Sequence, residues 1–307
     1  MPFVSRCAAL AAAAAVVSAP STALACSVCG CGDPLVVAGD AMPVTGNLRI
    51  ALEGEYLTAT AASDEDPTAT EDLVQQTLRP VVVVSLLNQL NLVAQVPVTR
   101  KLWSLTGGAT PEEAQPLGLG DIDLGARWFF WQSTDVSAGR RQNLGLTAGT
   151  SLPSGFDNAV DEAGDRIDDH AQLGTGAWGP YAGALYAFHQ DPFNVSVNAS
   201  GRFHTVNGYG YQYGPALLWS ARAQLRPWER VAFVLGVDGR YAVQDTLAGA
   251  VQTNTGGLVL AAVPGVDVNV AGNLWLHAAV QFPIYTALSG TQTVGPVFSA
   301  SLQYSLM

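Results

Sequence analysis

The apolar positions of this chain recur with a period of two. Its last residues, 297–307, read V-F-S-A-S-L-Q-Y-S-L-M. In an extended strand Phe298, Ala300, Leu302, Tyr304 and Leu306 share one face, and Ser299, Ser301, Gln303 and Ser305 the other. A chain that ends in such a strand predicts a closed barrel, the last strand pairing with the first and the apolar face turned out into lipid. From Gly46 onward twelve segments show this patterning: 47–59, 74–87, 90–103, 120–131, 143–153, 173–188, 193–204, 211–225, 231–243, 258–270, 274–285 and 294–307.

The connections between segments alternate in length. Those at 60–73, 104–119 and 154–172 are long and polar, whereas 88–89, 189–192, 226–230 and 271–273 are short. Long outer loops and short periplasmic turns are the pattern of an outer-membrane barrel, and an even strand count places both termini in the periplasm. The fold class expected is therefore all-β, a transmembrane antiparallel up-and-down barrel of about twelve strands.

Composition agrees. The chain has 307 residues, 32 of them glycine, and is 49% hydrophobic. After the N-terminus it nowhere carries the 18 or so consecutive apolar residues that a spanning helix needs. At the N-terminus, Arg6 precedes an Ala/Val-rich run, and Ala23-Leu24-Ala25 is a small-x-small cleavage site. Residues 1–25 read as a secretory signal peptide, 26–45 as a periplasmic Cys-rich segment and 46–307 as the barrel. Removing the signal leaves 13 basic residues against 25 acidic ones, a formal charge of −12 that excludes a nucleic-acid partner.

Cys26, Cys29 and Cys31 are all the thiols of the mature chain, and three readings of them stand. One disulfide leaves one thiol over; Cys26 is lipidated; or the three thiolates hold a thiophilic ion such as Cu(I) or Zn(II), the one candidate metal in a chain otherwise expected to need no cofactor.

Face assignment places Arg49, Glu53, Glu55, Arg79, Asp121, Asp123, Arg127, Arg202, His204, Arg222, Asp238, Arg240 and Asp267 in the lumen, a lining of mixed sign near neutrality. The surplus acid sits in long loops: Asp64, Glu65, Asp66, Glu71 and Asp72 in the first, and Asp157, Asp161, Glu162, Asp165, Asp168 and Asp169 in the third. These read as solvated charge, since the third loop lacks the ligand order of a calcium site. The seven tryptophans fall near strand ends, where interfacial girdles form; any that faced inward would instead offer a stacking surface to an aromatic solute. His170, His189, His204 and His277 stand without a paired nucleophile and orienting group, so no enzymatic activity is expected.

Six short motifs in order, Gly118–Trp128 (G-L-G-D-I-D-L-G-A-R-W), Ser151–Gly155 (S-L-P-S-G), Leu173–Tyr181 (L-G-T-G-A-W-G-P-Y), Val263–Val266 (V-P-G-V), Asn273–Leu276 (N-L-W-L) and Gln281–Tyr285 (Q-F-P-I-Y), resemble the outer-membrane transporter family labelled MetA-pathway of phenol degradation. The resemblance covers about residues 45–307. It implies a barrel that takes up aromatic or other small hydrophobic solutes, and it brings no catalytic residues.

Two functions follow as expectations. The first is a channel in the Gram-negative outer membrane for passive uptake of a small solute, its barrel in contact with lipid and lipopolysaccharide. The second is a structural barrel that anchors the Cys-rich segment beside a periplasmic partner. Whether a long loop folds inward as a constriction is left open by the sequence.

Overall fold

The computed structural model of the protein describes residues 48–63, 69–107 and 112–306. The signal peptide and Cys26, Cys29 and Cys31 lie outside the described residues. Twelve strands form the wall: β1 Leu48–Ala62, β2 Thr70–Leu87, β3 in two pieces Leu90–Gln95 and Val98–Thr106, β4 Asp123–Asp135, β5 Arg140–Ser151, β6 Gly179–Gln190, β7 Phe193–Arg202, β8 Ala216–Trp228, β9 Val231–Ala242, β10 Gly257–Ala271, β11 Leu274–Leu288 and β12 Val297–Leu306. Each pairs antiparallel with the next, and β12 returns to β1 in a register running from Leu48 opposite Leu306 to Tyr56 opposite Phe298. The barrel is closed.

The period-two reading holds at residue level. In β12 Leu302 is 43% exposed on the outside while its neighbour Ser301 is 7% exposed on the inside. Ile50, Leu78, Leu124, Val197, Val237 and Leu276 continue the outer apolar band. Among the described residues the only helical element is a 3₁₀ turn at Asp169–Ala171.

Glycine permits close packing on the wall. Gly125 of β4 and Gly149 of β5 pair with each other, and the Tyr181 ring of β6 lies across both, with its hydroxyl where either Cβ would be. A missing side chain on adjacent strands is thus a seat for an inward aromatic ring.

Several strand ends differ from the pattern. β3 breaks at Val96 and Pro97, because proline has no N–H for the ladder; the Pro97 carbonyl instead accepts from Gly120 N at 2.9 Å. Glu112–Ala114 and Leu117–Leu119 pair with the second piece of β3, so β4 proper starts only at Asp123 and Asp121 lies beyond the strand. Residues 173–178 belong to the connection before β6, not to the strand. Tyr211–Gln212 leaves β8 to join Thr246–Leu247 and Ala250–Val251 in a small three-stranded sheet of the loops.

Two tryptophans depart from the girdle. Trp103 of β3 is 6% exposed and points inward, its Nε1 donating to Glu71 Oε2 at 3.4 Å. Trp275 lies opposite Gln303 on the inner face, with the Arg226 guanidinium 5.1 Å from its ring centroid. Trp128, Trp131, Trp178 and Trp228 are exposed.

Replacing Gly149 by valine should drive a methyl-bearing carbon into Tyr181 and the Leu124 carbonyl and cost about 1–3 kcal/mol of barrel stability. Heat-modified gel mobility across a temperature series reads this as a lower unfolding midpoint.

Candidate functional site

The connection between β5 and β6, residues 152–178, folds into the mouth of the barrel. Ala159, Ile167 and Ala171 from this loop pack against the wall residues Ala59, Leu73 and Trp103 and against Ala114, in one buried apolar cluster. A loop in a barrel interior must satisfy its own backbone polar groups. Gln172, 1% exposed, does much of this: its Oε1 accepts Ala159 N at 2.7 Å, and its Nε2 donates to the carbonyls of Ala159 at 3.1 Å and Ile167 at 2.9 Å.

The wall holds the loop at two points. Lys101 of β3, also 1% exposed, donates from Nζ to the carbonyl oxygens of His170 and Gln172, both at 2.6 Å. An ammonium removed from water needs such acceptors, so loop and wall are electrostatically committed to each other. At the base of the loop Asp121 Oδ1 accepts Gly155 N at 2.9 Å, and its Oδ2 accepts Thr175 N at 2.8 Å and Thr175 Oγ1 at 2.5 Å. Asp121, expected as lumen lining, is instead the clamp where the loop leaves and rejoins the wall. There Gly155 and Gly174 meet back to back, and a Cβ on either would lie 2.6 Å from the other's backbone.

Neighbouring loops brace the outer side. Arg166 pairs with both carboxylate oxygens of Asp169, at 3.0 and 2.8 Å, and its guanidinium lies 3.8 Å from the centroid of the Tyr209 ring. Asn207 donates to Asp169 Oδ1 at 3.0 Å and to the Thr175 carbonyl at 3.2 Å. His170, expected as an isolated loop histidine, has its Nε2 2.7 Å from the Tyr211 hydroxyl and 2.8 Å from Asp245 Oδ2. The Tyr211 hydroxyl donates to the same Asp245 oxygen at 2.7 Å, and Gly214 N to Oδ1 at 2.6 Å. With Nε2 engaged by both partners, the imidazole is a brace. The acids Asp168 and Asp169, expected as solvated charge, are likewise in use: Asp168 accepts His170 N at 2.7 Å.

Between the underside of the loop and the wall, bounded by Lys101, Asp121, Asp123, Ser151, Leu173 and Thr175 among others, the cavity measures about 20 Å³. That is room for about one water.

Deeper in the lumen the expected charges face inward and pair. Arg202 meets Asp123 at 3.1 Å, Arg222 meets Asp238 at 2.8 Å, Arg79 meets Glu53 at 3.8 Å and His277 meets Asp267 at 2.5 Å. Arg49 and Arg127 are buried on the inner face, where the strand register also places Glu55 and Arg240. His204 lies just beyond β7; burial, together with the Arg202 and Arg240 cations, holds its pKa down to about 3. For Asp245 burial acts upward, but the His170 bond, the Gly214 amide and the Tyr211 hydroxyl outweigh it and leave the carboxyl below its ordinary value.

Sequence reasoning missed Lys101, Gln172, Tyr211 and Asp245. A lysine at an inward position of a strand was the one available signal.

No family model matches the chain, and no curated protein is similar to it in sequence. Solved structures are similar in fold. The COG4313 outer membrane channel from Pseudomonas putida F1 superposes with a TM-score of 0.65 at 14% identity, covering 87% of this chain and 98% of that one. The translocator domain of autotransporter NalP from Neisseria meningitidis gives 0.48 at 13% identity over 89% and 93% of the two chains. The CymD monoaromatic hydrocarbon channel gives 0.44 at 9% identity over 90% and 93%. The fold is that of a Gram-negative outer-membrane β-barrel, as the strand pattern and the family resemblance implied.

His204 and Asp245 give this mouth a pH-dependent share of its stability. His204 takes up a proton near 6.5 when unfolded and near 3 when folded, so its contribution to stability is complete above 6.5 and is lost as pH falls through that window. The contribution of Asp245, whose folded pKa is lowered, is present above 3.8 and is lost below it. The His204 share is read as a difference: between about pH 7 and pH 4, hydrogen exchange of residues 152–178, corrected for intrinsic rates, should speed up more in the wild type than in a His204→Asn variant.

Proposed function

We propose that this protein is an outer-membrane channel for the passive uptake of small aromatic or hydrophobic solutes, gated by the inward-folded connection 152–178. Its long connections face the outside of the cell and its termini the periplasm. The observation that carries the reading is the pair of 2.6 Å bonds from buried Lys101 to carbonyls of the loop, which makes the loop part of the barrel interior. A barrel of twelve strands is wider than the side-chain-filled eight-stranded kind, so the loop at its mouth is where passage is decided.

The chemistry of the gate bears on the solute. To pass on the side of β2 and β3, a solute must part Ile167 and Ala171 from Leu73 and Trp103, all apolar surfaces. An apolar or aromatic molecule replaces these contacts with contacts of its own. A charged one gains nothing there and loses its hydration. Farther in, the paired lining offers fixed hydrogen-bonding groups with little net field, so a neutral solute passes without a deep trap. The family resemblance implies the same class of solute.

Planar-bilayer conductance and uptake of uncharged aromatics into liposomes test the reading. The wild type should show small conductance and measurable aromatic flux. Lys101→Met leaves two carbonyls without their donor, and Asp121→Ala releases the loop base. Each should weaken the docked state by about 1–3 kcal/mol, raising the open population roughly 5- to 150-fold. Unchanged conductance in both variants would sink the gate. Selectivity between small ions should be weak, and Arg222→Ala, by leaving Asp238 without its 2.8 Å partner, should shift it toward cations as measured by reversal potential.

A further inference from the structure

The lipid-facing wall carries a dent. A groove of about 830 Å³ crosses the outside of β10, β11, β12, β1, β2 and the outer half of β3. This volume falls within the range of about 300–1,000 Å³ common to ligand sites. Its floor is small over β11, β12 and β1, with Ala278 opposite Ala300 and Ala300 opposite Gly54, and continues in register into Leu78 of β2 and Val98 of β3. The row toward the long connections is bulky and partly aromatic: Val280, Phe298 and Tyr56 stand in register. The row on the other side holds Leu276, Leu302 and Leu52, also in register. Small residues between two bulky rows leave a trough across β11, β12 and β1.

Polar residues close one end of the trough. Continuing the aromatic row, Tyr56 faces Gln76 and Gln76 faces Arg100. Gln76 and Arg100 are both exposed, and Arg100 Nη2 donates to Gln115 Oε1 at 3.3 Å. The cost of an arginine on the outer face of a barrel strand falls off toward the interface, where an anionic head group is within reach as a charge-assisted partner. Its position sets it apart from the other basic residues. Arg49, Arg79, Lys101, Arg127, Arg202, Arg222 and Arg240 face the interior, Arg166 lies in the mouth loop, and Arg140, Arg141, Arg226 and Arg230 gather at the short-turn end. At the level of the Tyr56–Phe298 row, Arg100 is the outward cation among the described residues.

We propose that this groove is a specific site for a phosphorylated multi-acyl lipid of the outer leaflet, a diphosphorylated acylated glucosamine disaccharide of the lipid A type. The acyl chains lie in the trough over Gly54, Ala300 and Ala278, and a phosphate meets Arg100. Charge complementarity selects this occupant. A second copy of the chain would bring another arginine, and Glu55, the carboxylate that borders the groove, belongs to the inward row of β1 opposite Ser299; an anionic amphiphile supplies both apolar chains and the counter-charge. The site rests on the outward orientation of the long connections proposed above, because that orientation places the aromatic row in the outer leaflet.

Native mass spectrometry of the full-length protein, delipidated in detergent and titrated with defined lipids, tests the site. The probes are lipid A, its dephosphorylated form and phosphatidylglycerol. Lipid A should bind the wild type stoichiometrically and about tenfold more tightly than the dephosphorylated form, the size expected for one charge-assisted contact. Arg100→Gln should remove that preference while leaving the weaker acyl binding, and Ala300→Leu, which fills the trough, should abolish both. Arg100 and Ala300 both lie on the outer face, and unchanged heat-modified gel mobility confirms that each variant folds. Equal retention of all three probes, or retention unaffected by Ala300→Leu, overturns the site, as does a dimer whose mass is lost with that variant. Preference for phosphatidylglycerol over lipid A, abolished by Arg100→Gln, overturns the lipid assignment and the outward orientation together. Failure of all lipid binding leaves the channel reading standing, since conductance and flux test that separately.

Discussion

Closure of the backbone ladder is the constraint on which the rest of this molecule depends. Hydrocarbon offers no hydrogen bonds, so every N–H and C=O on a membrane-crossing strand needs a partner within the protein. The pairing of β12 with β1 over Leu48–Tyr56 supplies the last set and removes both free edges. Once the sheet is closed, alternation along each strand has no freedom. Leu302 and Tyr304 must meet lipid because Ser301 and Gln303 cannot, and a slip of one residue would exchange all of them.

The same constraint makes the interior polar and hence demanding. Arginines on the inner face stand where solvent is limited, and each is stable only beside an acceptor; Arg202 with Asp123 and Arg222 with Asp238 are the response. Lys101 finds its acceptors in main-chain carbonyls of the connection between β5 and β6. This couples the wall to the mouth. The loop does not rest on the barrel as a separate lid. Its carbonyls complete the solvation of a wall cation, while Gln172 completes the pairing of the loop's own backbone at Ala159 and Ile167.

Shape is decided by where side chains are missing. Gly125 and Gly149 make a seat for Tyr181 on the inner wall, Gly155 and Gly174 let the two ends of the mouth loop cross in contact, and Gly54 with Ala300 and Ala278 hollows the lipid face. On a sheet with fixed strand spacing, the side chains are what remains to vary, so small residues in register become cavities or contact points.

How much of this was legible varies from element to element. The outward face of the last strand, the twelve segments and the alternation of long with short connections were local properties, readable because strand period and turn length depend on neighbours in the chain. The inward charges Arg79, Asp123, Arg202 and Asp238 were legible for the same reason. Trp103 and Asp121 were not: a tryptophan near a strand end fits a girdle as well as a core, and an aspartate beside a strand fits a lumen as well as a clamp. What separates the alternatives is a partner 32 to 71 residues away, as when Trp103 meets Glu71, Lys101 meets the carbonyls of His170 and Gln172, or Asp121 meets Thr175. The amino-acid pattern by itself determined a closed outer-membrane barrel with a polar, charge-balanced interior, because period and register act between adjacent strands. Only the tertiary structure decided that the third long connection turns inward and the lipid face is dented. Both depend on which groups converge across the barrel, and spacing along the chain does not encode that convergence.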